Sequence, residues 1–359
     1  MKEEKITEEK FLQNLRILAP GTPLYEGLEN ILRARTGALI VIGDSEEVLS
    51  LVNGGFRIDA AFHPSSLYEL AKMDGAIILS RDIKTILYAN TQLTPDPMIP
   101  SFETGSRHRT AERVARQTGA MVIAISQRRN VITVYQANVK YILRDVSVIL
   151  AKANQALQTL EKYKSVMEQA LINLSALEFE DLVTLSDVVT VVQRAQMVAR
   201  IDAEIERYIW ELGSEGRLVS MQLEELMVNL EDEGRLVIKD YQAEGNNRPV
   251  QEIWDEMSRW SAEELLDQSS ICRALGYGGG AASPENSVTP RGYRILNKIP
   301  RVPMAVIDNL VQQFKTLPEV LQASIEELDD VEGIGEVRAR AIKEGLQRLR
   351  EQVLLDRHI

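Results

Sequence analysis

The segment TGSRHRTAERVARQTG, residues 104–119, places Arg107, His108 and Arg109 at the start of a helix. Ala111, Val114, Ala115 and Thr118 recur at helical spacing, and Gly119 is a stop signal. The N–H groups at a helix start already carry partial positive charge, so an acidic residue is the comfortable choice there. Two arginines and a histidine in that place suit an incoming anion. A second segment, MDGAIILS at 73–80, sets the Asp74 carboxylate beside Gly75 and Ala76, both small enough to admit a ligand. Taken alone, Asp-Gly is an ordinary turn. Arg107 and Arg109 could equally pair with Glu103 or Glu112 at the surface, and His108 could be a core histidine. In combination, a carboxylate able to hold a metal and a cationic helix start describe a triphosphate site.

A third group of residues lies near the C-terminus. VEGIGEVRARAIKEGL, 331–346, has Gly333, Ile334 and Gly335 between two helical stretches, with Arg338, Arg340 and Lys343 on the second. Glycines there let backbone N–H groups at a helix start approach a phosphate, a contact that holds the backbone and reads no bases. A tight turn between structural helices is the plainer alternative. Repetition favours the first reading. LNKIPRVPMAVIDNL, 296–310, aligns with LDDVEGIGEVRARAI, 328–342, at an offset of 32 residues, although Arg301 and Pro303 stand where the second copy has its glycines.

The whole chain sets limits on the chemistry. Its 359 residues are enough for two or three domains, and 45% hydrophobic with 26% charged residues is ordinary for a globular protein. The net charge of −12 is unevenly spread. Residues 1–145 carry 18 Lys+Arg against 17 Asp+Glu, residues 146–285 carry 12 against 25, and residues 286–359 carry 11 against 11. Both ends can therefore meet anions, whereas the acidic middle reads as a solvated spacer. The single cysteine, Cys272, excludes an internal disulfide framework and a cysteine zinc cluster, and three scattered histidines leave little for a histidine metal site. MKEEKITEEK at the start has no apolar core, and no apolar run approaches a membrane span, so the expectation is a cytoplasmic protein without a membrane partner.

The elements that must position these residues fall into three expected domains. In 1–145, helix patterns (22–36, 65–73) alternate with strand runs (37–43, 75–80, 121–126, 131–136), with 140–143 as an edge. This predicts an α/β domain with a mixed sheet flanked by helices. From 146 to 285 the pattern is all-α, with a seam of Ile149, Ala153, Leu157, Leu160, Met167, Leu171 and Leu174 broken by Lys164. GYGGGAASPENSVTP, 276–290, reads as a flexible linker. Residues 286–359 form a small all-α tandem hairpin domain.

LYELAKMDGAIILS, YANTQL, ETGSRHRTAERVARQTG and AISQRRNVITVYQ resemble, almost as continuous text, the diadenylate cyclase domain of the DisA family of DNA-integrity scanning proteins. The resemblance continues through the helical middle to the hairpins, whose second copy resembles the helix-hairpin-helix DNA-binding module. It implies an enzyme that joins two ATP into cyclic di-AMP, releasing pyrophosphate, with Mg²⁺ or Mn²⁺. It also implies an octamer with cyclase domains facing in pairs, association with the nucleoid, and suppression of synthesis by branched DNA. Carried over to this chain, Asp74 would bind metal or help activate the attacking 3′-hydroxyl. Gly75 and Ala76 would line the nucleotide, and the Leu93 backbone would contact adenine. Ser106, Arg107, His108, Arg109 and Thr110 would hold phosphates, with His108 near the metal, and Ser126, Arg128 and Arg129 would share that face. Two other readings compete. A DNA-tethered ATP sensor without catalysis would have little use for Asp74, and a helix-hairpin-helix nuclease would need a cluster of carboxylates.

Overall fold

The computed structural model describes residues 11, 15–228, 230, 232–278 and 283–356. The charged start at 1–10 lies outside them. The chain forms two compact units, residues 1–154 with 206–220, and residues 155–205 with 221–359.

In the first unit eight strands build one sheet. They are β1 (Ala38–Ile42), β2 (Val52–Asn53), β3 (Phe56–Ala61), β4 (Ala76–Leu79), β5 (Thr85–Leu93), β6 (Met121–Ser126), β7 (Val131–Gln136) and β8 (Val139–Ile142). Their order is β2-β5-β4-β1-β6-β7-β8, with β3 also paired to β5. β1 and β4 run parallel, while β1 with β6 and β4 with β5 run antiparallel, so the sheet is mixed as expected. β1 reads ALIVI because both its faces are covered. Ile40 and Ile42 face one core with Leu24, Leu28 and Ile31 of helix α1 (Pro23–Arg33). Leu39 and Val41 face the other core with Ala111, Val114 and Ala115 of helix α2 (Ser106–Thr118). Gly119 ends α2 at φ 68°. β2, β3 and β5 went unpredicted: the short β2 and the exposed β3 carry little apolar alternation, and in β5 buried Ile86, Ala89, Thr91 and Leu93 are too irregularly spaced, with Asn90 at φ 53°, to read as period two.

The helical middle opens with α3 (Val146–Glu180) and α4 (Leu185–Leu212). All seven apolar seam residues of α3 are buried. The interrupting Lys164 donates to the Leu226 carbonyl at 2.8 Å, which accounts for a polar group in the seam. One expectation is corrected here: the acidic middle is not uniformly solvated. Glu178 and Asp240 are 1% and 2% exposed, held by a buried arginine from the hairpin segment, Arg294.

That segment contains α5 (Tyr293–Asn297), α6 (Met304–Phe314), α7 (Ile325–Asp329) and α8 (Glu336–Asp356). The 32-residue repeat recurs in burial. Leu296 and Leu328 are both 0% exposed, Ile299 and Val331 3% and 2%, Val302 and Ile334 8% and 7%, Leu310 and Ile342 both 0%. The expected flexible linker is likewise corrected in its described part. Leu185, Ser186 and Leu317 donate backbone bonds to the carbonyls of Asn286, Pro284 and Pro290, Val288 donates to Val183, and the Tyr277 hydroxyl donates to the Tyr241 carbonyl at 2.7 Å. Small residues gave this stretch no periodicity, yet its backbone groups are anchored; residues 279–282 lie outside the described residues.

Candidate functional site

Strand register brings the first two groups of residues to one end of the sheet. Leu39 of β1 pairs with Ala76 of β4, so the starts of the two parallel strands, with Gly37 before one and Asp74 before the other, lie at the same sheet end. Ala38 pairs with Ile125 of β6, so Gly37 is level with Ser126, and Ala76 pairs with Thr91 of β5, which ends at Leu93 on the same side. Leu93, Asp74, Gly37 and Ser126 thus form a row at the ends of four neighbouring strands: Leu93 and Ser126 close β5 and β6, and Asp74 and Gly37 precede β4 and β1. Arg128 and Arg129 lie in the turn that follows Ser126, where the Arg129 N–H donates to the Ser126 hydroxyl at 3.2 Å. Helix α2 packs on β6 and β7 through its apolar face and begins at Ser106 with no side-chain cap and no acidic residue in its first turn. Thr110, half-buried, closes that turn.

The surface pairing that would have neutralised these cations is not what the structure contains. Glu112 accepts from the Ser101 hydroxyl at 2.5 Å and pairs with Arg116 at 2.8 Å. Glu103 accepts from the Tyr135 hydroxyl at 2.9 Å and pairs with Lys140 at 2.5 Å. Arg109 touches Glu103 only through its backbone carbonyl, at 3.3 Å. Among the described residues no carboxylate pairs with Arg107, Arg109, Arg128 or Arg129. Four unneutralised guanidinium groups beside a bare helix start form a seat for a polyanion.

His108 is half-buried, its ring edge-on to Tyr135 with centroids 6.4 Å apart. Burial pushes its imidazole below the ordinary range; Glu103 opposes this, while Arg129 and Arg107 add to it. The ring is therefore neutral near pH 7 and can offer a lone pair. Burial pushes the Glu103 carboxyl up, but the bonds from Lys140 and Tyr135 outweigh it and hold it below the usual range. Burial also pushes the Tyr135 hydroxyl up, so it remains a donor. Glu103, Tyr135 and Lys140 fasten the loop leading into α2, a role the sequence did not reveal because Tyr135 and Lys140 lie over 30 residues from Glu103. Gly75 has a reason besides ligand access. Its φ is 96°, and a Cβ there would lie 2.8 Å from the Asn90 and Thr91 backbone.

The hairpin residues arrange differently. Gly333 takes φ 83° in the turn, and its counterpart Arg301 takes φ 67°, so the first hairpin keeps the left-handed turn without the glycine that makes it cheap. Arg301→Gly should therefore raise unfolding stability by about 0.5–1 kcal/mol in a urea titration; a lower midpoint would mean the arginine side chain stabilises the turn. A Cβ on Gly335 would meet nothing within 4 Å, so the folded chain itself does not demand that glycine. It stands immediately before α8, whose first-turn N–H groups lack partners within the helix. Ile334 fills the core below the turn. Of the three cations, Arg340 pairs with Glu336 at 2.5 Å and Arg338 donates to the Gly333 carbonyl. Lys343 donates to the Leu321 and Ala323 carbonyls at 2.7 and 2.5 Å, which makes it a brace for the preceding helix end. Gly335→Val should weaken binding to duplex DNA about tenfold at matched salt and leave the melting temperature unchanged. Unchanged affinity would leave the turn a structural one.

Among the described residues no group of three or more His, Cys, Asp or Glu side chains could hold a metal ion, so the carboxylate cluster a nuclease would need is not found there. No helix among them is long and apolar enough to cross a membrane.

Comparison with known proteins agrees with this division. Residues 25–139 match the DisA bacterial checkpoint controller nucleotide-binding family (DAC), residues 143–283 its linker region, and residues 316–345 the helix-hairpin-helix motif. The DNA integrity scanning protein DisA of Carboxydothermus hydrogenoformans is 64% identical, over 96% of this chain and 98% of its own. That of Clostridium botulinum is 58% identical, over 98% and 99%. Among solved structures, DacA from Staphylococcus aureus is 22% identical over 39% of this chain and 89% of its own, with a TM-score of 0.29. Identity of this order along almost the entire length places the chain in the DisA family of DNA integrity scanning proteins.

Proposed function

We propose that the chain condenses two ATP molecules into cyclic di-AMP with release of two pyrophosphates, and that its hairpin pair couples this synthesis to DNA, branched structures suppressing it. The observation that carries the proposal is the set of unpaired arginines at the start of α2 and after Ser126, set at the same sheet end as Asp74. Attack of a 3′-oxygen on an α-phosphorus builds negative charge on the phosphoryl oxygens and the departing pyrophosphate. Arg107, Arg109, Arg128 and Arg129 are already in place to stabilise that charge, with no reorganisation at the moment of reaction. Thr110 and Ser106 add hydroxyl donors. Ala76 and Leu93 line the approach of the nucleotide, Leu93 through its backbone.

Asp74 and His108 are the side chains that would hold Mg²⁺ or Mn²⁺. One exposed carboxylate and one neutral imidazole make an incomplete set, which fits a hard cation that arrives with phosphate oxygens and keeps several waters. Such an ion would supply further neutralisation of the transferring phosphoryl group.

One chain carries one such site, whereas a cyclic dinucleotide needs two ATP molecules whose 3′-oxygens each attack the other's α-phosphorus. Two identical sites facing across a two-fold axis provide this, so the active species is an assembly, an octamer of facing pairs by family resemblance. Incubation with ATP and Mg²⁺ or Mn²⁺ should yield cyclic di-AMP; binding without product would leave a DNA-tethered ATP sensor. The facing arrangement is tested by mixing wild-type subunits with an exchanging excess of Asp74→Asn subunits. Activity should fall as roughly the square of the wild-type fraction. A linear fall would show that one chain suffices. A cytoplasmic, nucleoid-associated location follows from the DNA partner.

A further inference from the structure

The centre of the row at the sheet end is a residue with no chemistry of its own. Gly37 precedes β1 level with Ser126 and beside the start of β4, and the guanidinium of Arg107 rests against it. A Cβ built on Gly37 would sit 2.0 Å from Arg107 Nη1, 2.9 Å from its Cζ and 3.2 Å from the Ile125 carbonyl oxygen. Atoms do not approach so closely, so any side chain at 37 must expel the guanidinium. The glycine is not there for its backbone, because Gly37 is absent from the residues with left-handed φ. The space itself is what the glycine supplies. Arg107 is also the one arginine of its triplet that is not exposed; it reaches from the first turn of α2 across the sheet end.

From this we infer that Gly37 is a positioning residue for the nucleotide triphosphate: its missing side chain is the seat in which Arg107 is held against the start of β1, beside the Ile125 carbonyl. The inference rests on the reading of this sheet end as a nucleotide site and extends it to a residue outside the phosphate-binding segments. Without the seat, the flexible Arg107 side chain turns outward, and its charge no longer rests on the sheet end. The closest obstructing group is the far end of a flexible chain, and the Ile125 carbonyl at 3.2 Å needs to give only a few tenths of an ångström, so alanine at 37 should leave the fold intact.

The test is Gly37→Ala in the full chain, alone and combined with Arg107→Ala, measured by calorimetry with a non-hydrolysable ATP analogue and with adenosine. Gly37→Ala should lower affinity for the triphosphate at least tenfold, leave adenosine within about twofold, and reduce cyclic dinucleotide formation. In the Arg107→Ala background it should add no further loss, since the group it displaces is already gone. Unchanged triphosphate affinity, or an equal additional loss in that background, overturns the inference. A second pair covers a possible folding defect. Gly37→Ala with Arg107→Lys should match Arg107→Lys alone in melting temperature and triphosphate affinity, the slimmer ammonium leaving room for the methyl, and a further tenfold loss also overturns it. Wild-type protein that binds the triphosphate without making cyclic dinucleotide would defeat the proposed reaction while leaving Gly37 to be judged by affinity.

Discussion

Asp74→Asn should reduce cyclic di-AMP synthesis by at least about a thousand-fold, a barrier increase of about 4 kcal/mol, while affinity for a non-hydrolysable ATP analogue, subunit assembly and DNA binding stay near wild-type values. The asymmetry follows from where Asp74 sits. It is exposed at the head of β4, so removing its charge with almost no change of shape disturbs no packing. In the proposed reaction, ground-state binding of the triphosphate would fall to the arginines of α2 and of the β6–β7 turn, which the substitution leaves untouched. What is lost is the one carboxylate of the row, hence the group that would hold the cation and the attacking hydroxyl in register. Single-turnover product formation read beside analogue binding separates the two contributions. Synthesis near the wild-type rate would remove Asp74 from the chemistry, and a parallel collapse of analogue binding would make it a binding residue.

How far such a site can be read from sequence depends on whether its parts are local. Helix α2 was legible complete, from its bare cationic start to the stop at Gly119, because periodicity, charge and cap lie within sixteen residues. β1 and β4 were legible because both faces of each are buried and their sequences are correspondingly uniform. Motifs nominated the candidate residues, but their arrangement was not legible. Nothing in TGALIVIG indicates that its glycine receives an arginine seventy residues later; only the parallel register of β1 with β4 and the antiparallel register with β6 make Gly37 the middle of the row. The Glu103 anchor stayed hidden for the same reason, its partners being on β7 and β8. In the hairpins the repeat predicted the matching burial, while the left-handed Arg301 was invisible, since arginine is a poor sign of a positive φ. Glu178 and Asp240 read as solvated acids because a helix in a strongly acidic segment gives no local sign that an arginine over fifty residues away will be buried against it.

That arginine carries the largest expected effect on stability. Arg294 is 0% exposed; it pairs with Glu178, donates to the Ser175 hydroxyl at 2.9 Å, and reaches Glu233 at 3.4 Å. Its own N–H and those of Gly292 and Tyr293 converge on Asp240 at 2.9, 2.7 and 2.6 Å, and Tyr241 donates to Glu178 at 2.8 Å. The hairpin segment and the helices bearing Glu178, Glu233 and Asp240 are thereby joined inside one unit by charges withdrawn from water. Arg294→Met should lower unfolding stability by about 3–5 kcal/mol, because Glu178 is left as a buried, unpaired carboxylate. Replacing both partners, Arg294→Met with Glu178→Leu, should recover much of the loss, since a buried ion pair and a well-packed apolar pair differ little in net stability. The pH dependence has a definite sign. Burial, and then the neighbouring Glu178 charge, push the Asp240 carboxyl up to about 7 against the pull of its N–H donors and Arg294. The folded form thus holds that proton more tightly than the unfolded chain, whose aspartate titrates near 4. This contribution to stability is complete below about pH 4 and lost as pH rises through about 7. Without Arg294 the carboxyl has less to hold it down and its folded-state value rises further, so the deficit of Arg294→Met should deepen as pH rises above about 7. Urea titrations of the wild type and both variants at pH 5 and pH 8 decide the matter: a single-variant deficit under about 1 kcal/mol at both pH values would mean that water reaches Glu178, and that the charges are not the lock the geometry implies.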